Sequence, residues 1–351
     1  MPDDLTFQLP RRLIAEDRPT YVIAELSANH NGSLNKALEL VRHAADAGAD
    51  AVKLQTYTAD TITLDSDADC FLIKGTIWDG RRLHDLYQEA HTPWEWHAAI
   101  FEEAAKLGID CFSTPFDPSA VDFLETLSPV LYKVASFEVV DIPLMRKIGS
   151  TRRPVIMSTG MATLAEIDEA VKALRDAGCP QLALLKCTSA YPAPPENVHL
   201  RTIPHLAQAF QVIAGLSDHT LGSAVAVASV ALGARIIEKH FCLSREDPGP
   251  DSSFSMEPAE FREMVDAIRQ VEKALGRVNY TLSEKEKVSR SHRRSLFVAR
   301  DIAEGELITE LNVRSVRPAD GLHTRHLPEV LGRYATRDLK LGAPFSWDMV
   351  R

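Results

Sequence analysis

Residues 211–240, QVIAGLSDHTLGSAVAVASVALGARIIEKH, carry the pattern that decides the fold. QVIAGLSDH is an apolar run ending in Ser217, Asp218 and His219. A small-residue helical stretch, SAVAVASVALGA, follows it. RIIEKH is a second apolar run, ending in Glu238, Lys239 and His240. Strand, helix and strand, with chemistry-bearing groups at the strand ends, make one βαβ unit. Six earlier runs have the same form: YVIAE (21–25), DAVKLQ (50–55), IDCFSTP (109–115), LYKVAS (131–136), PVIMST (154–159) and LALLKCT (182–188). Eight strands, near 21–25, 50–55, 109–113, 131–135, 154–158, 182–187, 212–216 and 235–240, alternate with amphipathic helical stretches. They predict a (β/α)8 TIM barrel. In such barrels the active site lies at the C-terminal ends of the strands, so one pattern predicts fold and site together.

The stretches between the runs support this reading. SLNKALELVRHAADAG (33–48) has helical spacing and stops at Gly48. TLAEIDEAVKALRDAG (163–178) opens on Thr163 as N-cap with Glu166 three residues on. TPWEWHAAIFEEAAKLG (92–108) reads as a helix with Thr92 at N-cap, Pro93 at N1 and Glu95 at N3. Residues 57–90 are too long for a minimal connection and read as an insertion over the barrel mouth. The helix EPAEFREMVDAIRQVEKALG (257–276) closes the barrel. Domain boundaries are expected at 1–278 for the barrel, 279–290 for a charged linker and 291–351 for a small second domain. That domain has short strand-like pieces in place of βα units and is expected to lean on another surface for stability.

Composition narrows the function classes. The chain has 351 residues, 45% hydrophobic and 25% charged, with a formal net charge of −10. That length holds one barrel of about 250–280 residues and one small domain. The acidic balance and the lack of a basic tract speak against nucleic acid as a partner. No apolar run is long enough to span a bilayer, and MPDDLTFQLP lacks the features of a signal peptide, so a cytoplasmic chain without a membrane partner is expected. Cys70, Cys111, Cys179, Cys187 and Cys242 have no metal-type spacing and are expected as reduced thiols, with Cys111 and Cys187 near strand ends.

Three groups of residues carry the candidate chemistry. His219 and His240 end neighbouring strands, where two imidazoles can share one divalent ion with Glu238 close by; Mn²⁺ or Mg²⁺ suits such a site, with Zn²⁺ as an alternative. The structural alternative is two hydrogen-bonded rim residues. Lys53 and Lys133 lie inside strands, where a lysine is costly unless it meets an anion. With Ser136, Ser158 and Ser217 they can form a phosphate or carboxylate cradle, and Gln55 and Thr114 lie on the same strand ends. An acidic protein needs such a local cationic cluster to hold an anion. Lys186 and Lys239 either join the cluster or alternate outward. Glu25 and Glu138, read on the first and fourth strands, face this pocket as a general base, as an anchor for substrate hydroxyls, or as ion-pair partners of the lysines. Asp251 lies on the loop after the eighth strand, as a site residue or a turn residue.

Taken together, AELSANHNG (24–32), GADAVKLQTYTADT (48–61), FSTPFD (112–117), YKVASFE (132–138), MSTGMATLAEI (157–167), CTSAYPAP (187–194), GLSDHT (215–220), ALGARIIEKHF (231–241) and GPDSSFSMEP (249–258) resemble, in order, the sialic acid synthase family. RRSLFVARDIAEGELITELNVRSVRPADGL (293–322) resembles that family's antifreeze-like (SAF, β-clip) domain. Within the family, SANH, TYTADT, KGTIWDG, TPWEW and CTSAYPAP resemble the pseudaminic acid synthases more than the N-acetylneuraminate or legionaminate synthases.

The resemblance implies a condensation of phosphoenolpyruvate with the open-chain aldehyde of an amino sugar, 2,4-diacetamido-2,4,6-trideoxy-L-altrose in that subfamily. It implies a divalent ion on His219 and His240, with Glu238 in its water shell. Phosphoenolpyruvate would be held by Lys53, Lys133, Ser136, Ser158, Ser189 and Ser217. Glu25, Tyr191 and Asp251 would orient the sugar, and Glu138 would sit near the reacting carbons. It also implies a domain-swapped homodimer in which Arg317 reaches the partner's site. Two positions depart from the family: Ala319 stands where Gly commonly follows Arg-Pro, and Ser189 where neuraminate synthases tend to carry Asn. Competing expectations are a carbohydrate- or ice-binding module, suggested by the terminal domain alone, and a Schiff-base aldolase using Lys133 or Lys186, which borohydride trapping would reveal.

Overall fold

The structure is a computed structural model that describes residues 5–247 and 249–351. Residues 1–4 of the segment read for a signal peptide, and Pro248 of the loop after the eighth strand, lie outside the described residues. The chain divides into two units, one ending at Gly276 and one covering Arg277–Arg351.

In the first unit an antiparallel hairpin, β1 (Thr6–Gln8) and β2 (Leu13–Ala15), precedes eight parallel strands: β3 (Tyr21–Glu25), β4 (Ala51–Thr56), β5 (Asp110–Pro115), β6 (Tyr132–Val134), β7 (Val155–Ser158), β8 (Leu182–Cys187), β9 (Ile213–Asp218) and β10 (Ile236–His240). They close a barrel in chain order, with β10 pairing back to β3 so that His240 lies beside Glu25. The barrel is the one read from the eight runs, and each strand begins and ends within two residues of its expected span.

Period-two alternation sorts each strand into two faces. Tyr21, Ile23, Ala51, Phe112, Leu131, Ile156, Ala183, Leu185, Ile213 and Ile236 fill the barrel interior. Their neighbours Val22, Val52, Val155, Leu184 and Ile237 face out and pack under the helices. The hairpin, which sequence reading left as a bare N-terminal segment, places Phe7, Leu9 and Ile14 in the interior cluster and seals the floor of the barrel.

Local signals hold at several helix ends. The helix Leu34–Asp46 stops before Gly48, which takes φ +90°, a conformation that glycine adopts without strain. Thr163 and Glu166 cap Leu164–Asp176 reciprocally: the Glu166 amide donates to Thr163 Oγ1 at 3.3 Å, and the Thr163 amide donates to Glu166 Oε2 at 2.7 Å. Such a cap stabilises by about 1 kcal/mol. Thr92 does not act as the expected N-cap. A 3₁₀ turn, Trp94–Trp96, intervenes before the helix His97–Leu107, and Thr92 Oγ1 is buried 3.2 Å from His30 Nε2. Tertiary packing outweighs the local cap signature here: Trp94 stacks on Phe123 at 4.7 Å, and Trp96 meets His30 edge-on at 5.5 Å.

The insertion at 57–90 folds into short helical pieces, Ala59–Ile62, Asp69–Phe71 and Leu83–Ala90. Arg82 ties them together through Asp65, Asp67 and Asp85. The closing helix is Pro258–Leu275, which buries Phe261, Met264, Val265 and Ile268.

The second unit begins with a short helix, Glu284–Ser289, inside the stretch read as a linker; Ser283 and Glu286 cap it. Strands β11 (Ser295–Val298) and β12 (Val313–Val316) pair antiparallel. Leu296, Val298, Ile302, Ile308, Val313, Val330, Leu339 and Phe345 form a core within this unit. The unit thus has an apolar core of its own. Among the described residues, no helix is long and apolar enough to cross a membrane.

Candidate active site

Strand alternation continues upward from the apolar interior. The positions that follow it on the inward face are Glu25, Lys53, Gln55, Thr114, Lys133, Ser158, Cys187, Ser217, Glu238 and His240. Lys186 and Lys239 are out of phase with this set, so of the two expectations for them the outward one holds. Lys186 donates to the Cys187 carbonyl at 2.6 Å. Lys239 is buried beneath the barrel wall, 2.7 Å from Asp218 Oδ2, and also donates to the Thr220 carbonyl at 2.6 Å. That pair ties the end of β9 to the end of β10, one residue away from each of His219 and His240.

The inward groups form one charged network. Lys53 Nζ lies 2.7 Å from Glu25 Oε2 and 3.5 Å from Glu238 Oε1. Lys133 Nζ lies 3.8 Å from Glu238 Oε2 and donates to Ser158 Oγ at 2.7 Å and to the Val134 carbonyl at 2.9 Å. Thr114 Oγ1 is 3.4 Å from Lys53 Nζ, and Ser217 Oγ donates to Glu238 Oε1 at 3.3 Å. Glu25 and Lys133 are each only 1% exposed. Burial works against the charge on Lys53, but Glu238 and Glu25 outweigh it and raise its pKa. Burial dominates at Lys133 and lowers its pKa, with Glu238 opposing. Burial also pushes the Glu238 carboxyl up, but Lys133 and Lys53 prevail and hold it low. The cluster therefore presents two cationic groups, each already oriented by a carboxylate or a hydroxyl.

Ser136 and Ser189 complete the cradle around Gly160. Ser136 Oγ accepts from the Gly160 amide at 3.0 Å. A β-carbon at Gly160 would collide with both hydroxyls, so glycine is required by close approach.

The imidazoles lie beside this network, with ring centroids 5.4 Å apart. His219 Nδ1 is 2.9 Å from the Thr188 carbonyl, which fixes the proton on Nδ1 and leaves the Nε2 lone pair free. Burial, reinforced by His219 and Lys53, holds His240 well below the usual imidazole range and hence neutral, and its Nδ1 has no hydrogen-bond partner among the described residues. Burial works against a charge on His219, but Cys187 outweighs it and raises its pKa, so an ion binding there would displace a proton from that ring. Two imidazoles at this separation fit one divalent ion. Among the described residues, no three His, Cys, Asp or Glu groups converge as a complete cage, so the remaining ligands would be water or substrate.

Glu138 departs from its expected place. It lies on a 3₁₀ turn, Ser136–Val140, after β6 and not on the strand, because β6 ends at Val134. Its Oε2 is buried without a hydrogen-bond partner among the described residues, and burial pushes the carboxyl from 4.5 up to about 7. Between those values the folded protein keeps a proton that the unfolded chain releases, so the cost of burial grows as pH rises and is complete above 7, up to about 3 kcal/mol. Glu138→Gln is expected to match the native melting temperature near pH 4 and exceed it above pH 7 in substrate-free protein. A difference that does not vary with pH would contradict a buried, unpartnered carboxylate.

Nearer the mouth, Gln55 donates to Glu25 Oε1 at 2.8 Å and to Ser27 Oγ at 3.2 Å. Ser27, which sequence reading did not select, takes φ +46° and hydrogen-bonds to Asp251. A serine held in this left-handed conformation marks a position fixed by its surroundings. Tyr191 lies 4.3 Å from His219 and 5.2 Å from Phe254 between ring centroids. Phe254 and Trp78 also escaped selection, since aromatics in loops give no periodic signal. Cys187 lines the pocket, 3.9 Å from His219 Nδ1 and from Ser189 Oγ, whereas Cys111 packs outside the barrel.

Arg317 belongs to the second unit. It is exposed on the turn after β12, with no ion-pair partner among the described residues, and its bond to Pro318 is cis. Ala319 does not take a positive φ, so the missing glycine imposes no strain there.

Comparison with known proteins places this geometry. Residues 40–280 match the NeuB family, and residues 293–351 match the SAF domain. The chain belongs to the NeuB family. It is 48% identical over 326 residues to the pseudaminic acid synthase of Campylobacter jejuni, covering 93% of this chain and 95% of that one. It is 46% identical over 335 residues to the pseudaminic acid synthase of Helicobacter pylori, covering 94% and 98%. Identity to the N,N'-diacetyllegionaminic acid synthase of Campylobacter jejuni is 38% over 327 residues, covering 92% and 98%. Among solved structures, the N-acetylneuraminic acid synthetase of Leptospira borgpetersenii in complex with citrate aligns with a TM-score of 0.73 at 28% identity, covering 82% of this chain and 96% of that one. Membership in the NeuB family agrees with the barrel, the polar strand ends and the terminal domain read from the sequence.

Proposed function

We propose that this NeuB-family chain is a transferase that condenses phosphoenolpyruvate with 2,4-diacetamido-2,4,6-trideoxy-L-altrose, giving pseudaminate and phosphate. The greater identity to two pseudaminic acid synthases than to a legionaminic acid synthase supports the choice of sugar. The observation that carries the chemistry is the pair Lys53 and Lys133, held by Glu25 and Glu238 beside the imidazoles of His219 and His240.

Carbon 3 of phosphoenolpyruvate forms the new bond to the aldehyde carbon, water adds at carbon 2, and the C–O bond to phosphate breaks. The product is a nine-carbon 2-keto acid. Lys53 and Lys133, with Thr114, Ser136, Ser158, Ser189 and Ser217, hold the phosphate and carboxylate oxygens. Charge-assisted hydrogen bonds of this kind are roughly twice as strong as neutral ones. Glu25, Gln55, Tyr191 and Asp251 orient the sugar. Glu138, whose pKa lies near neutrality, is suited to move a proton at the reacting carbons. His219 and His240 would hold one divalent ion, Mn²⁺ or Mg²⁺, with Glu238 in its water shell; when bound, such an ion polarises the sugar aldehyde. We further propose a cytoplasmic homodimer in which the antifreeze-like domain supplies Arg317 to the partner's site.

Mass spectrometry of products, with kcat/KM across a sugar panel, tests the substrate. The diacetamido altrose is expected to be preferred, with apolar contact at its unhydroxylated carbon 6 worth roughly 1–3 kcal/mol. Equal or better kcat/KM with N-acetylmannosamine would refute this sugar and leave the family assignment standing.

A further inference from the structure

The insertion at 57–90 contributes one side chain to the pocket wall that the reaction above leaves without a role. Trp78 donates its indole N–H to the Pro250 carbonyl at 3.0 Å, on the loop that also bears Asp251. Its ring lies 5.9 Å from Tyr191, which lies 4.3 Å from His219. Phe254 lies 5.2 Å from Tyr191 and 5.0 Å from His240. The rings thus make one continuous aromatic wall that starts at the two imidazoles and ends at the insertion. Two ring-to-ring steps, 4.3 and 5.9 Å, lead from His219 to Trp78, within reach of a six-carbon chain whose aldehyde is set off from the imidazoles by an ion. A sugar whose aldehyde sits at the imidazoles brings its far carbons to the indole. Because Pro250 occupies the only polar atom of Trp78, the indole offers that end of the sugar an apolar surface with no hydrogen-bonding group.

We infer that Trp78 is the specificity-determining residue for carbon 6 of the sugar: its ring receives the 6-methyl and leaves a 6-hydroxyl unpaired. The inference rests on the proposed reading of a 6-deoxy substrate. A methyl against an aromatic face gains from leaving water. A hydroxyl in the same place loses its water and finds no partner. Rejection of an added hydroxyl by an apolar wall is modest, on the order of 10- to 100-fold.

The test compares kcat/KM for 2,4-diacetamido-2,4,6-trideoxy-L-altrose and its 6-hydroxy counterpart in the native enzyme, Trp78→Ala and Trp78→Phe. The native enzyme should prefer the 6-deoxy sugar by about 10-fold or more. Trp78→Ala should reduce that ratio at least about fivefold, while Trp78→Phe, which keeps a ring and loses the N–H, should hold it within about threefold. If Trp78→Ala is insoluble, Trp78→Gln reads the same ratio. Equal loss of kcat/KM for both sugars would show that the ring only holds the insertion in place, and would overturn the inference. An unchanged ratio with unchanged rates, or no native preference between the two sugars, would overturn it as well. Failure of the native enzyme to use the 6-deoxy sugar at all would instead refute the substrate reading beneath it.

Discussion

Alanine in place of His219 or His240 is expected to lower turnover at least about 100-fold, because polarising a carbonyl through a bound ion contributes several kcal/mol to the transition state. Both rings are held in orientations that suit the proposed role. Thr188 orients His219 through Nδ1, and burial keeps His240 neutral. A chelator should abolish turnover, and Mn²⁺ or Mg²⁺ should restore it. Metal analysis gives a readout that does not depend on catalysis: the native chain should retain about one divalent ion and His240→Ala much less. Retention of full activity in excess chelator would sink the proposal.

Arg317→Ala should cost activity on a similar scale while leaving the barrel folded and its ion in place. A guanidinium clamps substrate oxygens with two directed hydrogen bonds that lysine cannot copy, and Arg317 is exposed with no ion-pair partner among the described residues. Mixing Arg317→Ala chains with His240→Ala chains separates action in its own subunit from action in the partner's. If the arginine crosses over, each mixed dimer contains one site with an intact His240 and an intact Arg317, and activity partly returns after subunit exchange. No recovery in verified mixed dimers, or full activity in an isolated monomer, would place the arginine's action within its own chain or nowhere.

The barrel was legible because its strands are short, continuous apolar runs, each followed by polar groups, as in YVIAE and RIIEKH. The strand ends named Lys53, Lys133, Glu238 and His240 as candidates, and the alternation of the folded strands puts all four on the inward face. Glu138 was assigned to a strand because it follows YKVAS closely, yet the strand ends at Val134 and the chain turns before reaching it. Thr92 has the local pattern of a cap, but the two tryptophans after it pack sideways, and such contacts have no signature in a linear pattern. Lys239 was left open between pocket and outward positions, and its phase relative to Glu238 and His240 places it outward, on Asp218. The hairpin under the barrel was missed because three-residue strands are too short for periodicity to show. Ser27 and Trp78 sit in loops, where position depends on partners distant in sequence.

That hairpin has a consequence for traffic. With Phe7, Leu9 and Ile14 packed among the interior side chains, the base of the barrel is filled and the pocket opens at its mouth. Under the proposed assignments, Glu25 for the sugar lies level with Lys53 for phosphoenolpyruvate, so the two substrates meet in one layer. Both substrates and both products would then share a single mouth, so a bound product would bar the next pair from entering.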